Sequence, residues 1–187
     1  MQSHKHSLYF IAIIPSSSAR EELQRYKFIF KDEYGSKASL NSPPHITLHM
    51  PFRFPPKKEG KLLYHLGKVV EGIQPLEVKL DGFGAFGPRV IYVNVVSNPA
   101  LNEVQQKVVE TCRKDLKLMN ANYRKQAFHP HITLAFRDLK KPAFAEAWAR
   151  FKEEDYKASF MVNEILLMQH DGKMWQTHTR FSFTQEL

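Results

Sequence analysis

Pro44-His45-Ile46-Thr47-Leu48 and Pro130-His131-Ile132-Thr133-Leu134 are one pentapeptide met twice, 86 positions apart in a chain of 187 residues. Successive side chains alternate across a β-strand, so each copy, read as a strand, puts its His and Thr on one face and its Ile and Leu on the other. The apolar face belongs to a core, and the opposite face offers an imidazole and a hydroxyl together. The spacing is close to half the chain, and duplication is the economical explanation, with each half supplying one such strand. Two imidazoles can divide proton acceptance and proton donation near neutral pH, and two hydroxyls can hold the oxygens of a tetrahedral anion such as phosphate. His45, Thr47, His131 and Thr133 are therefore the candidate catalytic residues.

Working outward, the order of elements repeats around the two copies. Residues 8–14 read as a buried strand, and Ser18 with Glu21 forms a capping box that opens a helix with the apolar stripe Leu23, Tyr26 and Phe30, ended by Gly35. After the first pentapeptide, Pro55-Pro56 introduces a helix with Leu62, Leu66 and Val69 inward, residues 75–81 alternate as a half-buried strand, and residues 81–88 form a glycine-rich turn before a strand at 90–96. In the second half Pro99 opens a helix with Leu101, Val104, Val108 and Cys112 inward. The His131 strand follows, then a helix from Pro142 with Phe144, Trp148 and Phe151 on one face, then two final strands at 160–169 and 174–183. The pattern predicts an α+β fold of two pseudo-symmetric lobes, each an antiparallel sheet with outer helices, flanking a central cleft that the motif strands face. The first lobe is expected to span about residues 1–88 and the second about 89–187. Because no Gly/Ser-rich or charged linker divides them, they form a single bilobal domain.

Lys and Arg outnumber Asp and Glu by 27 to 19, a net charge of +8 that draws polyanions and suits nucleic acid or phosphorylated ligands. No apolar run approaches the roughly 20 residues of a membrane span, and the first seven residues lack the apolar stretch of a signal peptide. No membrane association is expected. Cys112, the only cysteine, has no internal disulfide partner and suits a reducing cytoplasm. His49 lies four residues beyond His45, but a zinc pair at that spacing usually sits on a helix, and no Cys or carboxylate cluster completes a site there or at His4 and His6. Neither a metal nor a cofactor is expected.

Candidates for substrate binding lie beside the motifs. Phe52 and Phe86 are placed to stack on a nucleobase, whereas Phe128 and Phe136 are expected to be buried with Ile132 and Leu134. Arg124 and Lys125, just upstream of the second motif, are candidates for backbone phosphate contacts. Strand alternation puts Arg137 on the face of His131 and Thr133, where it either binds phosphate or pairs on the surface with Asp138. His129 belongs to the cleft rim or to a hydrogen bond with backbone.

On these residues the chain resembles the 2H phosphoesterases, named for two His-x-Thr/Ser-x motifs, and within them the bacterial 2′,5′ RNA ligase and RNA 2′,3′-cyclic phosphodiesterase group. Beyond the motifs, the segment from Leu80 to Val96, with its glycines, Phe86 and Pro88-Arg89, is similar to the segment joining the two lobes in that group. One departure is that family members often carry an Arg directly after Leu-Ala, where this chain has Phe136 and places Arg137 one residue later. The resemblance implies a metal-independent enzyme that hydrolyses 2′,3′-cyclic phosphates of RNA ends or nucleotides to 2′-phosphates. It implies that His131 accepts a proton from the attacking water, that His45 protonates the departing ribose oxygen, and that Thr47 and Thr133 hold the non-bridging oxygens, with the two histidine roles open to exchange. The same pair run backwards gives 2′,5′ RNA ligation. The alternative from another class is a non-catalytic RNA- or nucleotide-binding module on the same fold.

Overall fold

The structure, a computed structural model, describes residues 6–119 and 127–184. Along the chain run β1 (Ser7–Ile13), α1 (Ser17–Tyr34), β2 (Ile46–Phe54), α2 (Glu59–Val69), β3 (Leu76–Phe86), β4 (Val90–Val95), α3 (Pro99–Lys114), β5 (His131–Ala135), α4 (Lys141–Phe151), β6 (Lys157–Val162), β7 (Glu164–His170) and β8 (Trp175–Ser182). The strands form one antiparallel sheet in the order β6-β3-β4-β5-β2-β1-β7-β8.

The two motif strands meet at the middle of this sheet, where Ile46 of β2 pairs with Ile132 of β5. These are the equivalent residues of the two pentapeptides, so the pseudo-twofold axis passes between them. Around that axis the halves of the chain exchange elements. β3, from the first half, pairs with β4 and β6, and β7, from the second, pairs with β1. Likewise α1 packs on β5 and touches α4, while α3 packs on β2 and touches α2. The two sheet halves therefore draw on both halves of the chain, and residues 1–88 and 89–187 are not separate bodies in space.

Burial follows the alternation of the pentapeptides. Ile46, Leu48, Ile132 and Leu134 are 0% exposed and join a core closed by Leu23 and Phe30 of α1, Leu62 and Leu66 of α2, Val108 and Cys112 of α3, and Phe151 of α4. The opposite face carries a smaller cluster, Phe10, Ala12, Leu166 and Met168 with Ile14 and Trp175 against it. That cluster lies beside the first motif, with the Phe10 ring 4.8 Å from the His45 ring.

Three local readings are corrected. α1 takes Ser16 as its N-cap with no side-chain cap bond, so the Ser18–Glu21 box is not made; Gly35, at φ 70°, closes the helix as expected. The glycine-rich stretch is not a turn but the second half of β3, with Gly84 opposite Tyr92 and Phe86 opposite Val90. Gly84 is required there because a Cβ would stand 2.4 Å from Tyr92 Cε2, and Gly82, at φ 65°, falls where the register shifts. Residues 160–169 are two strands, since the chain breaks at Asn163 and sends β6 and β7 to opposite halves of the sheet. Among the described residues no helix is long and apolar enough to cross a membrane.

Candidate active site

The two motifs repeat one hydrogen bond. His45 Nδ1 lies 2.7 Å from the Pro43 carbonyl oxygen, and His131 Nδ1 lies 2.7 Å from that of His129. A carbonyl only accepts, so Nδ1 carries the proton in both rings and Nε2 is left as the basic nitrogen. The proline between each acceptor and its histidine biases the acceptor residue to an extended backbone, which gives both copies the same approach to the strand. Each ring is thereby held in one tautomer by its own chain.

A cavity of about 290 Å³ opens over the centre of the sheet, lined by His45, Thr47 and Thr133 together with Lys27, Arg137 and Trp175 among others. His131 stands two residues before Thr133 on the same strand face, packed against the rings of Phe86 at 5.1 Å and Tyr92 at 4.9 Å. Neighbouring strands set this arrangement, since Asn94 and Tyr92 of β4 pair with His131 and Thr133, and Ala12 of β1 pairs with Thr47.

Electrostatics favour neutral imidazoles at both motifs. Burial lowers the His45 pKa to about 4, the Lys27 ammonium and His131 pushing the same way while the bond to Pro43 opposes them. Burial likewise lowers that of His131, against its bond to the His129 carbonyl and helped by the charge of His129. Both rings are then neutral and able to accept a proton.

Lys27 is a cavity-lining residue that sequence reasoning missed. It falls between Leu23 and Phe30 on the inward stripe of α1 and is 1% exposed, yet it lines the cavity. Its Nζ donates to the carbonyls of Ser39 and Ser42, at 2.9 Å each, and burial lowers its pKa to about 7. A lysine on the apolar face of an amphipathic helix was the available signal. The loop it grips is held from the other side by Asp138, whose carboxylate accepts from Ser36 Oγ at 2.8 Å and from the backbone N–H groups of Lys37 and Ala38 at 2.9 Å each. Burial pushes that carboxyl up, but these donors outweigh it and hold it below the usual carboxylate range. The approach to His45 is thus fixed by a residue just past the second motif.

The remaining candidates divide. Phe86 is 43% exposed and borders the site beside His131. Phe52 does not: it is 3% exposed, packed in the core against Tyr9 and His49, because it shares the strand face of Ile46 and Leu48. Phe136, expected in the core, is half-buried and lines the cavity. Arg137 also lines it, though not by strand alternation, since β5 ends at Ala135 and Arg137 sits in a left-handed turn at φ 57° with its guanidinium 5.0 Å from the Phe136 ring. Asp138 spends its oxygens on the loop. His129 Nε2 lies 3.2 Å from the Tyr92 hydroxyl. Arg124 and Lys125 lie outside the described residues. His49 is fully buried with Nδ1 on the Met50 carbonyl, away from the cavity. Among the described residues no cluster of three His, Cys, Asp or Glu side chains is placed to hold a metal ion.

A central antiparallel sheet that brings two His-x-Thr strands to one cavity is the architecture of a paired-motif phosphoesterase, and sequence comparison agrees. The signature of the 2′-5′ RNA ligase superfamily matches residues 14–174, and the chain belongs to that family, the 2H phosphoesterases. A protein of Geobacillus kaustophilus assigned as a phosphoesterase is 26% identical over 176 residues, which is 92% of this chain and 94% of that one. The RNA 2′,3′-cyclic phosphodiesterase of Geobacillus stearothermophilus is 29% identical over 136 residues, covering 70% of this chain and 42% of that protein. Among solved structures, TT0787 of Thermus thermophilus superposes with a TM-score of 0.72 at 20% identity, over 96% of this chain and 100% of that chain. LigT of E. coli, crystallised with phosphate, gives 0.67 at 22% identity, over 98% and 100%. At such identities the structural likeness shows the fold alone.

Proposed function

We propose that the chain is a metal-independent phosphoesterase that opens 2′,3′-cyclic phosphates of RNA ends or nucleotides by acid-base catalysis between His45 and His131. The observation that carries this reading is the matched pair of imidazoles, each with Nδ1 tied to the carbonyl two residues upstream and each accompanied by a threonine on the same strand face. In the proposed reaction a water oxygen attacks phosphorus while one imidazole takes its proton, the bond from phosphorus to the 3′ oxygen breaks, and the other imidazole protonates that oxygen. Thr47 and Thr133 donate to the non-bridging oxygens, where charge accumulates. A base, an acid and anion-binding donors are all supplied by side chains, so the mechanism calls for no metal. Burial lowers the pKa of both rings, so each is neutral before substrate binds and the acceptor and donor roles stay open to exchange between His45 and His131.

The substrate class is supported by the net charge of +8, by the activity in the name of the G. stearothermophilus relative, and by the E. coli LigT structures with phosphate and with 3′-AMP. A cytoplasmic location is part of the proposal, supported by a single cysteine, Cys112, that is buried and in no disulfide. Ligation of a 2′,3′-cyclic phosphate end to a 5′ hydroxyl is the same ring opening with that hydroxyl in place of water, one imidazole taking its proton and the other protonating the departing 3′ oxygen. A purely binding role has less support, because holding phosphate does not call for two titratable rings set in the same tautomer. The test is to incubate the protein in EDTA with 2′,3′-cyclic nucleotides and oligonucleotides ending in a cyclic phosphate. The 2′-phosphate is the expected product; no turnover of any member, or turnover only after a divalent ion is restored, overturns the proposal.

A further inference from the structure

Lys27 is a buried cation that donates its hydrogen bonds to neutral carbonyls. Its ammonium is 1% exposed and has three protons, of which two go to the carbonyls of Ser39 and Ser42. Among the described residues no carboxylate forms an ion pair with it. A lone charge removed from water is costly, and protein interiors keep one only where it is paired or used. The same wall of the cavity contains a second unspent group: Ser39 is 2% exposed and its hydroxyl has no hydrogen-bond partner. Both face the cavity that contains His45, Thr47 and Thr133.

We propose that Lys27 is an anion-binding residue of this cavity and that its missing counter-ion is the phosphate group of the substrate. The inference deepens the proposed function and rests on it for the identity of the anion. Two carbonyl bonds aim the ammonium while leaving one N–H to reach an anionic oxygen, and the Ser39 hydroxyl supplies a neutral donor beside it. The site then has three kinds of phosphate contact: the ammonium from α1, the two threonine hydroxyls from β2 and β5, and the imidazoles. The charge acts on His45 as well. Burial and, after it, the ammonium hold the His45 pKa down; a bound phosphate monoanion offsets the ammonium's part, so binding itself makes the imidazole more basic. The competing account makes Lys27 only a clamp on the loop 39–42 that leads into the first motif.

Inorganic phosphate, titrated calorimetrically into wild type and into Lys27→Met at neutral pH, separates the two accounts. A charged hydrogen bond of the usual strength predicts at least a tenfold weaker dissociation constant in the variant, with the circular dichroism spectrum retained. Unchanged phosphate affinity in a folded Lys27→Met leaves only the clamp and overturns the proposal. Should the variant not fold, the wild type decides: the Lys27 Cε resonance, followed by NMR across the pH range, should titrate at higher pH with saturating phosphate than without. The charged groups sharing its surroundings are His45 before β2, Arg137 and Asp138 after β5, and His170 at the end of β7, and their variants assign the midpoint. A midpoint that phosphate does not move overturns the proposal. Neither readout requires turnover, so failure to hydrolyse a cyclic phosphate counts against the proposed activity and not against this site.

Discussion

Raising the pH from neutrality should stabilise the fold through Lys27, and the size of the effect follows from its burial. The folded-state pKa is lowered from 10.5 to about 7, so between those values the unfolded chain carries a proton at this position that the folded chain does not. Where the unfolded state binds more protons, stability rises with pH; the ammonium's penalty is therefore greatest below the folded pKa and is relieved as the pH climbs towards the unfolded one. Integrating over about pH 7 to about pH 9.5 gives a gain of about 3 kcal/mol, or very roughly 10 °C in melting temperature for a chain of this size. The buried thiol of Cys112, pushed up to about 12 by desolvation, works in the opposite sense, because its unfolded form ionises within this window while its folded form does not. Lys27→Met isolates the contribution. Urea unfolding of both proteins at the two pH values should show wild type gaining about 3 kcal/mol relative to the variant. Parallel pH dependence in the two would refute the reasoning, since it would mean that the folded protein holds this ammonium at no cost.

Other expectations follow from the same geometry. Because the His45 pKa falls from 6.5 to about 4, the folded state binds fewer protons in that interval, and stability should drop as the pH falls through it. Allowing for the partial exposure of the ring at the cavity wall, the loss is about 2 kcal/mol, measurable as a shallower acid limb in a His45→Gln urea series. Gly84→Ala should cost about 1–3 kcal/mol, since its Cβ would meet Tyr92 Cε2 at 2.4 Å, and it should lower kcat because Tyr92 packs against His131; unaltered melting and turnover would contradict this. RNA binding should weaken steeply between about 50 and 200 mM salt if several phosphates are contacted, as read by fluorescence anisotropy, and a salt-insensitive complex would argue against an electrostatic interface.

The fold and the motif were legible in the sequence for the same reason: a period of two in a buried strand assigns every side chain a face. His45, Thr47, His131 and Thr133 were placed by that rule, but it breaks beyond Leu48, where two register shifts in the pairing of β1 with β2 bury His49 and leave Met50 exposed before Phe52 returns to the core. What was hidden depended on contacts distant along the chain. The exchange of β3 and β7 between repeats is decided by pairing with β4 and β1, which local pattern does not encode. The glycines of β3 read as a turn because they are turn residues elsewhere, whereas here Gly84 yields space to a ring on the neighbouring strand. Lys27 was overlooked because its helical position predicts an apolar side chain, and only the fold brings it to the cavity wall beside His45.

The central claim, that two histidines from the two repeats act as one acid-base pair, is tested most directly by the steady-state kinetics of His45→Ala, His131→Ala and the double variant on a 2′,3′-cyclic phosphate in chelator. Each single substitution should lower kcat/KM by about 10² to 10⁴, with the double variant little worse than the poorer single, because groups that act as a unit are not additive. Near-wild-type turnover in either single variant would contradict the account.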